Sequence, residues 1–100
     1  MNDFGLSERT INELSEYFKS KEYIEKVIIY GSRVKGTYHN GSDIDFAIWT
    51  DEPDKILTIS GELEDLPLPY KFDVTDYKRL THKGMKNSID KEGILFYIKP

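Results

Sequence analysis

One hundred residues can enclose one modest hydrophobic core and not two, so a single domain spanning residues 1–100 is expected. The composition, 38% hydrophobic against 32% charged, excludes a disordered chain, and a net charge of −4 argues against direct nucleic-acid binding, which needs a basic surface to displace counterions. The absence of cysteine excludes disulfides and thiolate metal sites, while a polar start and the lack of a long apolar run leave no signal peptide or membrane span, so a cytoplasmic protein without a membrane partner is expected.

Ser7 is a suitable N-cap, with Leu6 before it placed to staple onto Ile11. Ile11, Leu14 and Phe18 recur at i, i+3 and i+7, which predicts an amphipathic helix over Glu8–Lys19. The continuous run Val27, Ile28, Ile29 and Tyr30, closed by Gly31, predicts a central strand covered on both faces. Ile44, Phe46 and Ile48 then alternate with Asp43, Asp45 and Ala47, marking a second strand with one oily face. Pro53 suits the first turn of a helix whose buried stripe is Ile56, Ile59 and Leu63. Leu66, Pro67, Leu68 and Pro69 end that helix and lead into a third strand over 70–75. A short polar helix over 82–91 follows, weakened by Gly84, and Gly93 opens the last strand, Ile94–Ile98. This order predicts an α/β (α+β) chain with a small mixed sheet and helices packed on it.

The chemistry is concentrated in YGSRVKGTYHNGSDIDFAIW, residues 30–49. Asp43 and Asp45 are two apart on a strand, so both side chains leave the same face. Carboxylates so close repel unless a cation lies between them, and Mg²⁺ accepts one or two protein carboxylates while phosphate and water complete its shell. Gly31 allows a tight turn in which backbone N–H groups approach an anion, and Ser32 adds a hydroxyl at the start of a short helix. Arg33 offers a planar fork to a phosphate or, equally, to a structural carboxylate. Gly36 permits the chain to reverse through the 37–41 loop.

In this combination, Gly31-Ser32-Arg33-x-x-Gly36-x5-Ser42-Asp43-x-Asp45, the chain resembles the nucleotidyltransferase superfamily related to DNA polymerase beta. Within that superfamily it resembles the minimal nucleotidyltransferases of bacteria and archaea (the MNT proteins) in motif spacing and length. The resemblance implies the nucleotidyltransferase fold, with Gly31, Ser32, Arg33 and Ser42 at the nucleoside triphosphate. It also implies two Mg²⁺ ions on Asp43 and Asp45, and a third carboxylate from a later strand. Asp73, flanked by Phe72 and Val74, is placed for that role as general base or third metal ligand, and Asp76 is the lesser candidate.

Several other residues carry two readings. His39 lies in the loop and either contacts substrate or does nothing of the kind. The segment KRLTHKGMK, residues 78–86, holds five basic residues, which form either a solvated helix face or a patch toward triphosphate or an acidic partner. Trp49 and Tyr97 read as core or partner contacts rather than base-stacking platforms.

Larger relatives carry a further domain for the acceptor, so a chain of this length is expected to complete its acceptor site from another chain, as a homo- or hetero-oligomer. The resemblance implies a small helical HEPN toxin from an adjacent gene as partner, in a type VII-like toxin–antitoxin pair. The reaction it implies is transfer of AMP from ATP to a tyrosine hydroxyl of that toxin. Two alternatives are a non-catalytic antitoxin that neutralises its partner by binding, and nucleotidyl transfer to a small molecule.

Overall fold

The computed structural model describes residues 4–39 and 41–100. Helix α1 runs over Glu8–Lys19, and the Ser7 hydroxyl caps it by accepting from the Thr10 N–H at 3.1 Å. Strand β1 (Lys26–Tyr30) passes through Gly31 into the four-residue helix α2 (Ser32–Lys35), and a loop leads to β2 (Ile44–Trp49). Helix α3 occupies Lys55–Asp65, starting after Pro53 rather than at it, with Asp54 at the N-cap position but making no side-chain capping bond. Strand β3 (Phe72–Asp76) begins two residues later than expected. A single 3₁₀ turn at Tyr77–Arg79, with no signal for it in the sequence, follows it. Helix α4 covers Lys83–Glu92, with the His82 ring accepting from the Met85 N–H at its N-cap, and β4 covers Ile94–Ile98.

The strands form one mixed sheet in the order β3-β2-β1-β4. β1 lies between antiparallel partners β2 and β4, as its two-sided apolar run demands, whereas β2 and β3 run parallel. The β1–β4 pairing shifts register between Val27 and Ile28.

Two layers of side chains cover the two faces. On one face Val27, Ile29, Ile44, Phe46 and Ile48 pack with Leu14, Phe18, Ile59 and Leu63 from α1 and α3. Phe18 sits at the centre of this layer, its ring edge-on to Phe46 at 5.1 Å and to Phe96 at 5.9 Å. Edge-to-face rings exploit the aromatic quadrupole as well as apolar burial. The Tyr17 hydroxyl donates to the Glu62 carboxylate at 2.7 Å and so ties α1 to α3. The second face is thinner: Ile89 of α4 covers Tyr30 and Ala47, with Trp49 and Tyr77 stacked beside them at 4.0 Å. Helix α4 covers only part of this face, and the acidic residues occupy the remainder.

Candidate functional site

The alternation of β2 divides its residues by chemistry. Ile44, Phe46 and Ile48 face the main core, and Asp45 and Ala47 face the other way. Asp43 shares that parity, one residue before the strand begins. The parallel pairing of β2 with β3 places Asp45 directly opposite Asp73. Phe72 and Val74 pack against the main core, so Asp73 emerges on the same face as Asp45. The antiparallel pairing with β1 sets Tyr30, the residue before Gly31, opposite Asp45 from the other side. Three separate chain segments thus meet at Asp45.

Gly31 closes the arrangement. Its backbone has φ +83° and ψ −152°, a region that essentially only glycine occupies, and a side chain here would run into Oδ2 of Asp45. The turn and the carboxylate therefore lie in contact, which accounts for the glycine at the end of β1. Ser32 opens α2, and the main chain turns tightly there because the Val34 and Lys35 N–H groups both bond the Gly31 carbonyl at 3.1 Å.

The electrostatics are those of crowded anions. Burial is the largest cause pushing the Asp45 carboxyl up to about 6; the charges of Asp73 and Asp43 and a hydrogen bond with Asp73 add to it, and Arg33 opposes it. The Tyr30 hydroxyl is also pushed up, first by burial, then by the Asp73 and Asp45 charges, against the opposing effect of its hydrogen bond to Thr75. None of Asp43, Asp45 and Asp73 has an ion-pair partner among the described residues.

The donor set fits a hard divalent cation: oxygen ligands only, excess negative charge, and one carboxyl whose proton affinity is raised by burial and by its acidic neighbours. Among the described residues no three His, Cys, Asp or Glu side chains are drawn together as a ready-made metal cage. Asp45 and Asp73 are adjacent, and Asp43 stands two residues along, exposed.

The remaining predicted residues separate clearly. Ser42 lies in the loop just before Asp43, its hydroxyl accepting from the His39 N–H at 2.9 Å. Arg33 neither faces the open site nor pairs with a carboxylate. It is 1% exposed, and its guanidinium donates to the Phe4 and Ser42 carbonyls, both at 2.9 Å. His39 bonds within its own turn, its ring accepting from the Gly41 N–H at 3.3 Å. Asp76 has the opposite parity to Asp73 and is held by Arg79 at 2.9 Å. In the basic segment, Lys78 is paired with Glu25 and Asp51 and Arg79 with Asp76, which removes both from any phosphate-facing patch.

Sequence reasoning missed one group, the Tyr30 hydroxyl bonded to Thr75 Oγ1 at 2.9 Å. This bond crosses β2 over Ala47, and the signal for it was there: a small residue next to Asp45 on the same face leaves room for a ring from the neighbouring strand.

Residues 12–100 match the family described as polymerase beta, nucleotidyltransferase. No curated protein matches the sequence with significance. Among solved structures, a chain in the crystal structure of a toxin–antitoxin complex with AMP-PNP superposes with a TM-score of 0.70 at 20% identity, covering 94% of this chain and 75% of that one. A chain in the MntA–HepT toxin–antitoxin complex gives 0.67 at 12% identity, covering 93% and 74%. A chain in the complex of a tri-AMPylated Shewanella oneidensis HEPN toxin with its MNT antitoxin gives 0.60 at 14% identity, covering 91% and 69%.

Proposed function

From the premise that this chain belongs to the polymerase beta nucleotidyltransferase family, we propose that it transfers AMP from ATP to a hydroxyl on a partner protein. A small helical HEPN toxin is the partner this reading favours, with a tyrosine as acceptor, which makes the chain the antitoxin of the pair. The observation that carries the reading is the meeting of Asp45 with Asp73 beside the Gly31 turn. Support for the partner comes from the toxin–antitoxin complexes that share the fold, one of them holding an AMPylated toxin.

In this scheme Gly31, Ser32 and Ser42 border the triphosphate, and Asp43, Asp45 and Asp73 are the residues that hold Mg²⁺. Bound Mg²⁺ would offset the phosphate charge and stabilise the attacking and leaving oxygens of an in-line displacement. The carboxylate of Asp73, the more exposed member of the facing pair, accepts the proton of the acceptor hydroxyl. The acceptor oxygen forms a bond to the α-phosphorus as the bond from that phosphorus to the bridging oxygen breaks, and pyrophosphate departs. Tyr30 and Thr75 wall the acidic face on the side toward α4, keeping Asp45 partly dry.

The test is intact mass spectrometry on the protein and its HEPN partner incubated with MgATP, with Asp43→Asn as control. An AMP adduct on the partner that the variant fails to produce is expected. A stable, toxin-silencing complex with no adduct would instead assign neutralisation to binding alone.

A further inference from the structure

Arg33 is the largest side chain among the fully buried residues, and it carries a permanent charge. Its Nη1 donates to the Phe4 carbonyl and its Nη2 to the Ser42 carbonyl, both at 2.9 Å. The rings of Tyr38 and Tyr70 flank the guanidinium, 5.2 and 5.0 Å from its carbon, within the range of cation–π attraction. Its Nε has no hydrogen-bond partner among the described residues, although burying an unmet donor costs about 1–3 kcal/mol. Pure stability would favour an apolar residue at such a place.

What the guanidinium joins is informative. Arg33 follows Ser32 directly, and the carbonyl it grips belongs to Ser42, directly before Asp43. The 39–42 turn is closed on itself by reciprocal bonds, His39 N–H to Ser42 Oγ and Ser42 N–H to the His39 carbonyl, both 2.9 Å. Beyond it, β2 is anchored by the Ile44 N–H on the Lys71 carbonyl at 2.9 Å. Between those anchors, the Arg33–Ser42 bond is the tie from the Gly31–Ser32 turn to the segment that delivers the first aspartate.

We propose that Arg33 is a positioning residue: its guanidinium, clamped between Tyr38 and Tyr70, holds the Ser42–Asp43 segment in register with the Gly31–Ser32 turn, so that both halves of the nucleotide site are preformed. This rests on the nucleotide reading above. Lysine keeps the charge but cannot reach both carbonyls as a fork, and methionine keeps the length while losing charge and donors.

Two readouts separate the alternatives. The first is amide hydrogen exchange in the ligand-free protein, comparing Arg33→Met with wild type. Faster exchange confined to 37–43 and the segment around Phe4, with β1 and β4 unchanged, is expected. The second is calorimetric titration with MgATP. Dissociation constants at least tenfold weaker in Arg33→Met, partly restored in Arg33→Lys, are expected, because apparent affinity falls with the fraction of time the untethered segment spends in the binding-competent arrangement. A merely structural role would lower the number of competent sites at an unchanged dissociation constant, and that result overturns the proposal, as does unaltered exchange. Should Arg33→Met fail to fold, Arg33→Lys and Tyr70→Leu take its place in both measurements. If wild type itself binds no MgATP, the nucleotide reading fails, and exchange alone decides whether Arg33 holds the segment.

Discussion

Replacing Gly31 with alanine separates two costs that the structure superimposes. The first is backbone strain at φ +83° and ψ −152°, where a residue with a Cβ costs about 1–3 kcal/mol. The second is the collision of that Cβ with Oδ2 of Asp45, whose relief requires the carboxylate to leave its place beside Asp73; overpacking of this kind costs about 1–3 kcal/mol. Together they predict a loss of roughly 2–6 kcal/mol, or a Tm lowered by at least about 8 °C for a chain of this size. In an Asp45→Ala background only the first cost remains, so the double-mutant cycle should show a coupling of about 1–3 kcal/mol. Urea denaturation of wild type, both single variants and the double variant at fixed pH measures it. Should Gly31→Ala cost the same in both backgrounds, the carboxylate does not lie against the turn, and the site geometry argued above is wrong. A smaller coupling that disappears on adding MgATP would refute it equally, since ligand should tighten the carboxylate's position rather than free it.

Three further outcomes follow from the same structure. The Asp45 carboxyl sits at about 6 when folded against 3.8 when unexposed to its neighbours, so the folded state binds its proton the more tightly; metal-free stability should rise as pH falls from above 6 toward 4. Asp45→Asn should therefore be more stable than wild type at pH 8 and lose that advantage near pH 4, as read from urea midpoints, and parallel pH profiles would count against the crowding of the three acids. Phe18→Ala empties the centre of the aromatic layer and should cost about 3–5 kcal/mol, a large share of the roughly 5–15 kcal/mol a small domain has, visible as a collapse of the urea midpoint. Gly93→Ala should destabilise by about 1–3 kcal/mol, because its Cβ would meet the Ile89 carbonyl oxygen at 2.5 Å, whereas Gly61→Ala in α3, with open space around it, should stabilise by about 0.5–1 kcal/mol; thermal scans of the pair check both signs.

The periodic segments were legible because their periods are unambiguous. Ser7 with Ile11, Leu14 and Phe18 specifies α1 to the residue, and the strict alternation in β2 tells which face carries acid. Asp73 was legible as a candidate through the resemblance, which implies a third carboxylate on a later strand, with its apolar neighbours fixing the face; nothing local in Phe72–Asp76 says that this strand runs parallel to β2 at the register that sets Asp73 against Asp45. Arg33 was not legible at all: a guanidinium between a serine turn and an acidic strand suggests a phosphate, and its true partners are main-chain carbonyls, which leave no trace in sequence. In the basic run at 78–86, Lys83 and Lys86 lie exposed on α4, as the solvated-face reading has it, but the pairing of Lys78 was hidden for a related reason. Its partners Glu25 and Asp51 are distant in the chain, and only the fold brings them to Lys78.

The distribution of cations bears on the choice between an enzyme and a module that only binds. Lys78 is held by Glu25 and Asp51, Arg79 by Asp76, and Lys35 by Glu92. Arg33, the cation that acts on Asp45, is buried behind the site and spends its donors on carbonyls. The three aspartates are thereby left with mutual repulsion, one of them half-buried, and that arrangement costs stability at neutral pH. A surface that only covers a partner gains nothing from such a cost and would be improved by one well-placed lysine. A site that must admit a divalent cation together with a triphosphate requires the vacancy in charge, because a resident ammonium would compete for the same carboxylates. Replacing Thr75 with lysine therefore distinguishes the two: on the enzyme reading, Thr75→Lys stabilises the metal-free protein while suppressing AMP transfer, and on the binding reading it leaves toxin neutralisation intact. Urea midpoints together with the mass-spectrometric transfer assay decide between them, and a variant that is more stable and still transfers AMP at the wild-type rate would defeat the argument from charge.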